Sequence, residues 1–338
     1  KVVLDAVYNH SGREFFAFQD ILEKGEKSKY LDWYFIDELP PRGEWGEIPN
    51  FKCFGYYGGM PKLNLKNPEV EKYITDVACY WIKECDIDGW RLDVGDEISH
   101  FFWKNFRKAV KAVKKDMLII GEIWHYAGDF LEGDEWDTVM NYPFYLNLID
   151  LLADEKITVS QFVQNLGYLK GRLHKNCYPL MWNLIDSHDT ARFLHLCNDN
   201  KKKQHLAAAF QLLLPGMPMI YYGDEYAMPG ANDPDCRRGM YWDEEYQDKE
   251  MYEWYKRLIQ VRKSHACIVE GELAGSVTED EEGTVVLIRK NGEETIAMIF
   301  NCSSSAKKFN EYTQKYNLLT ENTFDGNVEG FDAAVIVL

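Results

Sequence analysis

Positive charge is scarce in this chain. Its 338 residues include 38 Lys or Arg against 55 Asp or Glu, a formal net charge of −17. Phosphate binding needs a basic surface, so nucleic acid is excluded as a partner. A polybasic membrane contact is excluded with it. No apolar run approaches the ~20 residues of a membrane-spanning helix. The eight cysteines, at 53, 79, 85, 177, 197, 236, 267 and 302, include no C-x-x-C pair, which argues against zinc-ribbon and thioredoxin-like chemistry. In a chain this long they read as reduced, partly buried thiols and predict a cytoplasmic setting. Neither H-x-H nor H-E-x-x-H occurs, so a metal-dependent hydrolase would lack its ligands. No G-x-G-x-x-G or Walker loop follows a strand pattern, which leaves nucleotide chemistry without a cradle. The G-x-S-x-G elbow of serine esterases is missing too. The chain begins with Lys1 inside an apolar run, so the lack of a signal peptide there excludes nothing.

What is present is an apolar content of 46%, enough for a sizeable core in one large domain and a small one. Ten Trp and twenty-one Tyr supply flat faces that suit pyranose rings, although most single aromatics serve the core. One pattern recurs: a short apolar run ends in a carboxylate, and a helical stretch follows. The runs are VVLDAV with Asp5, GWRLDV with Asp93, MLIIGEIW with Glu122, YPLMWNLIDSHD with Asp186 and Asp189, and MPMIYYGDE with Asp224 and Glu225; EWDTVMNYPF is a weaker one. Continuous apolar runs of this length suit parallel strands buried on both faces. Helical periodicity lies between them, in 68–85, in 100–115 and in HLAAAFQLLL before Pro215, with Asn67 as a cap and Pro68 in the first turn. The class is therefore α/β, with about six strand–helix units around a parallel sheet. Residues 11 to about 65 form a Gly-, Pro- and aromatic-rich insertion that reads as an irregular subdomain. Past about residue 266, GTVVLIRK, ETIAMIFN and AAVIVL read as antiparallel strands of a C-terminal β-sandwich, with EDEEG at 279–283 as a hairpin loop.

In a parallel β/α barrel, catalytic groups sit at the C-terminal ends of the strands. One acid at such a place often caps the next helix; several converging on one face point to chemistry. In GWRLDVGDE, Arg91 and Asp93 are two apart on a strand and share a face. A guanidinium beside a carboxylate lowers its pKa and keeps it ionised, as a glycosidic nucleophile requires. A structural ion pair fits the segment equally well. Glu122, in LIIGEIW, would find its ionisation disfavoured by an ionised Asp93 and so stay protonated as a general acid. NLIDSHDT adds His188 and Asp189; DAVYNH adds Asp5, Asn9 and His10. Neutral imidazoles can hydrogen-bond sugar hydroxyls, though either histidine alone reads as readily as a satisfied structural residue.

DAVYNH, GWRLDV, GEIW and NLIDSHDT, in this order, resemble the four sequence regions of the α-amylase family of glycoside hydrolases. The similarity runs from residue 1 to about 265. MPKLN at 60–64 resembles a fifth region in the version typical of the neopullulanase, cyclomaltodextrinase and maltogenic amylase group; NDPDCRR at 232–238 and residues 28–36 also look like that group. The resemblance implies a (β/α)8 barrel over 1–266, with the insertion at about 11–65, followed by the C-terminal β-sandwich domain over 267–338. It implies a retaining hydrolase of α-1,4-glucosidic bonds in cyclodextrins, pullulan or maltooligosaccharides, with Asp93 as nucleophile, Glu122 as acid/base and Asp189 as the third acid. Arg91, His10 and His188 match residues lining the cleaved-bond subsite. Asp233 and Arg237 match a donor-side pair, and Trp124 and Glu97 fall where aglycone-side contacts are expected. Asn9 matches a position that binds calcium in some members, although no cofactor is required for the chemistry.

Two departures stand out. Val94-Gly95-Asp96-Glu97 replaces the Val-Ala-Asn-Glu common in the group, which bears on acceptor preference. DAVYNH resembles the family's third barrel strand, so the chain is expected to lack the first two and to leave open edges for a second copy or altered packing to cover; its own activity is then in question. The other readings are a general α-amylase or α-glucosidase of the same family, a catalytically dead transporter partner, and a fragment that only binds glucan. The retained acids and the missing span argue against the transporter partner, and a binding module needs no nucleophile beside an arginine.

Overall fold

The computed structural model describes residues 1–43, 46–174 and 176–338. The chain divides into two compact units, Lys1–Met140 and Asn141–Leu338.

The first unit is built on four parallel strands in the order β1-β2-β3-β4: β1 is Val3–Ala6, β2 Gly89–Leu92, β3 Leu118–Gly121 and β4 Thr138–Val139. Its helices are α1 (Phe16–Lys24), α2 (Pro68–Cys85) and α3 (His100–Val113). Every residue of β2 is buried, which is why GWRL carries no solvent-facing alternation. Gly89 lets β2 and β3 close up, since a Cβ there would lie 2.9 Å from the Leu118 carbonyl oxygen. α2 starts as expected: the Asn67 side chain accepts from the Glu69 N–H at 2.9 Å, and Pro68 occupies the first turn. Val70, Ile74, Ala78 and Ile82 then recur every four residues and are buried, so one stripe faces the core. α3 buries Phe102, Trp103, Phe106 and Val110 in the same manner.

Among the described residues of 11–65, the backbone apart from one longer helix is short one-turn helices and isolated bridges, and Phe18, Ile21, Tyr34 and Phe51 are buried. α1 lies inside this segment, where the sequence pattern points to no helix. It is nine residues long and starts at Phe15, whose side chain makes no capping bond, so the usual start signal is missing.

The second unit holds α4 (Tyr142–Leu148, continued as a π-turn to Ala153), α5 (Val159–Arg172), β5 (Trp182–Leu184), α6 (Phe193–Leu196), α7 (Lys201–Leu213), β6 (Met217–Met219), α8 (Lys249–Ser264) and α9 (Ala266–Glu270). β5 and β6 pair in parallel as a sheet of their own. Eight strands follow: β7 (Glu272–Glu279), β8 (Thr284–Asn291), β9 (Glu294–Asn301), β10 (Lys307–Lys308), β11 (Tyr316–Asn317), β12 (Asn322–Thr323), β13 (Asn327–Val328) and β14 (Asp332–Val337). Six of them form an antiparallel sheet in the order β12-β11-β14-β9-β8-β7. The turn at 280–283 joins β7 to β8 as expected, with Gly283 at φ 67°.

Period-two alternation gives this sheet two apolar faces. Val285, Leu287, Met298, Phe300 and Val335 join the large core with residues of α5, α7 and α8, and Phe300 stacks on Phe210 with ring centroids 4.2 Å apart. Val286, Ala297, Ile299, Ala334 and Ile336 pack with Phe309, Phe324 and Val328. The β10–β13 ribbon reaches this second cluster through Val328. β7 has no counterpart among the strands expected from sequence because it is an edge strand with most residues exposed, so it shows no clean alternation.

Candidate active site

Three segments of the first unit end together where β1, β2 and β3 run out. Arg91, buried on β2, is their common partner. Its Nη1 donates to Asp5 Oδ1 on β1 and to Asp93 Oδ1, both at 2.7 Å. Its Nη2 lies 2.9 Å from Glu122 Oε2. One planar guanidinium therefore holds three carboxylates, and because Nη1 and Nη2 belong to the same rigid fork, Asp93 and Glu122 stand side by side. The sequence spacing pairs Arg91 with Asp93 alone; Asp5 and Glu122 complete the cluster.

Glu122 is oriented at both oxygens. Oε1 accepts from Trp124 Nε1 at 3.0 Å, and Oε2 accepts from the Val94 N–H at 3.1 Å. Val94 sits at φ 47°, an uncommon conformation for a β-branched residue. Strain of this kind persists only where the surroundings over-determine it, and here the left-handed turn aims the N–H at the carboxylate. Glycines flank the arrangement. A Cβ on Gly121 would lie 2.2 Å from the Trp136 ring, and one on Gly95 2.7 Å from it. Trp136, fully buried and stacked on Phe130 at 4.0 Å, thus requires bare backbone beside Glu122.

Asp93 differs from expectation in its titration. Its carboxyl is held above the ordinary value: burial is the largest single cause, Arg91 draws it down, and the neighbouring Glu122 and Asp5 charges push it up. The lowering by Arg91 expected from the sequence is present, but burial together with the neighbouring carboxylates outweighs it. His10 is buried and stacks on Phe54, with centroids 5.2 Å apart and planes 6° apart. Burial is the main reason its pKa is lowered, so the imidazole is neutral near pH 7, as a hydroxyl-binding histidine requires. Asn9 and Glu97 meet through Asn9 Nδ2 and Glu97 Oε2 at 3.2 Å. Both also contact Lys62, the lysine of MPKLN, to which the sequence alone assigns no role. His125 Nε2 lies 3.0 Å from Asp96 Oδ2; no motif marks this pair.

In the second unit, the segments after β5 and β6 bring the other four candidates together. Arg237 Nε donates to the His188 carbonyl at 2.8 Å and lies 3.0 Å from Asp233 Oδ1. Its Nη2 donates to Asp189 Oδ1 at 3.2 Å. His188 Nε2 lies 3.1 Å from Asp189 Oδ2. These groups are partly exposed and solvent-screened, so the contacts orient side chains more than they stabilise the fold.

Beneath them, Asp186, Asp224 and Arg192 are almost completely buried. Arg192 Nη1 donates to Asp224 Oδ1 at 3.0 Å, and its guanidinium lies over the Tyr221 ring at 4.5 Å. Asp186 Oδ1 accepts from the Phe193 N–H at 2.5 Å. Burial raises Asp186 to about 7 and raises Asp224 well above the carboxylate range. Two buried carboxylates beside one guanidinium hold a proton between them.

Among the described residues, no group of three or more His, Cys, Asp or Glu is arranged to hold a metal. No helix among them is long and apolar enough to cross a membrane.

The family model for the α-amylase catalytic domain matches residues 1–247. The chain is 46% identical over 306 residues to a cyclomaltodextrinase of Geobacillus thermopakistaniensis, covering 90% of this chain and 52% of that protein. It is 42% identical to neopullulanase 2 of Thermoactinomyces vulgaris (89% and 51% covered) and 41% identical to an intracellular maltogenic amylase of Bacillus subtilis (89% and 50%). Among solved structures it is similar to a cyclomaltodextrinase, with TM-score 0.93 and 37% identity over 99% of this chain and 60% of that one. It is also similar to a cyclic α-maltosyl-(1→6)-maltose hydrolase from Arthrobacter globiformis, with TM-score 0.89 and 32% identity over 100% and 75%. The chain spans about half the length of these sequence relatives. The family and the structural neighbours imply a (β/α)8 barrel with a β-sheet domain after it.

Proposed function

We propose that this chain, which belongs to the α-amylase family of glycoside hydrolases, carries the catalytic residues of a retaining enzyme for α-1,4-glucosidic bonds. Its substrates are cyclodextrins, pullulan or short maltooligosaccharides. One observation carries the reading: a single buried guanidinium binds Asp93 and Glu122 from adjacent nitrogens, and Glu122 is fixed at both oxygens.

Retention needs a nucleophile and an acid/base on opposite sides of one bond. Asp93 attacks the anomeric carbon while Glu122 gives its proton to the leaving oxygen. The glycosyl–Asp93 ester forms as the glycosidic bond breaks. Glu122 then takes a proton from water, which attacks the same carbon and frees Asp93. Arg91 sits between the two acids, so either can change charge without leaving a bare buried partner. Asp189 is proposed as the third acid on the order of the motifs, with Arg237 and His188 orienting it. Trp124 and Glu97 serve the aglycone side, and Asp233 with Arg237 the donor side.

The barrel is assigned to 1–266 and the sheet domain to 267–338. A cytoplasmic setting is proposed from the reduced character of buried Cys197, Cys236 and Cys267.

The test is trapping with a fluorinated maltosyl donor, followed by peptide mass mapping of the full-length protein. A maltosyl adduct on the peptide bearing Asp93 is expected. An adduct elsewhere, or normal turnover in Asp93→Asn, overturns the assignment. Rates on cyclodextrin and on starch then separate the proposed specificity from that of a general α-amylase.

A further inference from the structure

Lys62 makes contacts that the proposed chemistry does not use. Its Nζ donates to Asn9 Oδ1 at 2.6 Å, to Glu97 Oε2 at 2.8 Å and to the Glu97 carbonyl at 3.3 Å. Asn9 Nδ2 closes the triangle onto Glu97 Oε2. An ammonium has three donors and no acceptor, and here all three have an oxygen. The root of the side chain is fixed as well. Lys62 N donates to the Lys52 carbonyl at 2.9 Å, and the neighbouring residues bond across to the β1 end, Leu63 N to Asn9 O and Ser11 N to Pro61 O, both at 3.0 Å. The chain thus delivers one positive charge to the oxygen cluster at Asn9 through a short, anchored segment.

A bound calcium would need those same oxygens. It takes six to eight oxygen ligands at roughly 2.3–2.6 Å. The side-chain oxygen of Asn9, which matches a calcium-binding position of some family members, already lies 2.6 Å from a cation that belongs to the protein. The residues present therefore do not fit calcium at Asn9. We infer that Lys62 is a built-in cation at this place: its ammonium substitutes for a metal, ties 60–64 to the end of β1, and positions Glu97 on the turn that follows Asp93. The device cannot dissociate, so chelators leave it intact, whereas a metal-held equivalent depends on concentration.

This inference does not depend on the glycosidase reading, and its test needs no turnover. Thermal unfolding of wild type, Lys62→Met and Lys62→Arg is followed in excess chelator and in millimolar calcium. The wild-type midpoint is expected to be the same in both. Lys62→Met keeps most of the stem and removes the charge; its midpoint is expected to fall in chelator by about 2 °C or more and to recover with calcium, which now reaches Asn9 and Glu97. Adding Asn9→Ala to Lys62→Met should remove that recovery. Lys62→Arg, which keeps the charge, should stay close to wild type and calcium-insensitive. A wild-type midpoint that rises with calcium and stops doing so in Asn9→Ala overturns the inference. So does a Lys62→Met protein with no response to calcium, which would reduce Lys62 to an ordinary salt bridge.

Discussion

Replacing Asp186 by Asn should make the protein more stable at neutral pH, and the size of the gain should depend on pH. Asp186 is buried, and burial lifts its pKa from an ordinary 3.8 to about 7. Its Oδ1 accepts the Phe193 N–H, whereas among the described residues Oδ2 meets no donor outside the carboxyl pair it forms with Asp224. Between those two pH values the unfolded chain has released a proton that the folded chain still holds. Unfolding then releases a proton, so stability falls as pH rises through this range. At about 1.4 kcal/mol per pH unit, the interval from 3.8 to about 7 corresponds to about 4 kcal/mol. Asp224 draws on the same proton, which makes that figure a ceiling. The Asn side chain keeps an oxygen for Phe193 and offers an N–H to Asp224 where the shared proton was, with nothing to titrate. Urea unfolding of both proteins from pH 4 to 8 at constant ionic strength gives the difference directly. It should be near zero at pH 4, grow in favour of the Asp186→Asn variant up to about pH 7, and then level off. A difference that ignores pH, or that favours the wild type increasingly as pH rises, would refute the shared-proton account.

Asp93→Asn should abolish turnover while the fold survives, as read by circular dichroism. Because burial holds the Asp93 carboxyl above its ordinary value, the same variant should also be more stable than wild type at neutral pH, and this advantage should vanish in acid, below the unfolded-state value. Gly121→Ala should cost about 1–3 kcal/mol of unfolding free energy, since its Cβ would lie 2.2 Å from the buried Trp136 ring; tryptophan emission reports the displacement. Asn67→Ala should lose about 1 kcal/mol, the usual effect of removing a helix N-cap, with no change in chemistry.

Elements with strong local signals are legible in the sequence. α2 carries a cap, a first-turn proline and a four-residue apolar repeat, and each of these acts within a few residues of sequence. β2 is legible because burial on both faces leaves an apolar run that no loop needs. α1 and β7 are missed for the converse reason. α1 has no capping side chain, and β7 lies at an edge with most of its residues exposed to water. Nor does sequence settle the titration of Asp93, because Arg91 and burial act in opposite directions and only the enclosure decides between them.

The candidate site divides along the same line. Arg91, Asp93 and Glu122 are legible as residue types because the chemistry demands carboxylates and a cation, and the two-residue spacing places Arg91 and Asp93 on one face. What holds Glu122 in place is not legible. Its supports are a backbone N–H aimed by Val94 at φ 47° and two glycines that clear space for Trp136. A backbone donor has no letter in the sequence, and a glycine's letter does not name the ring that needs the room. Lys62 lies between these cases. Its motif is visible, but its meaning requires knowing that residues 9, 62 and 97 converge on one ammonium. Side-chain chemistry can therefore be read one residue at a time, whereas positioning is a property of segments brought together by the fold. Variants of the reacting acids test the first kind of knowledge; Gly121→Ala and Lys62→Met test the second.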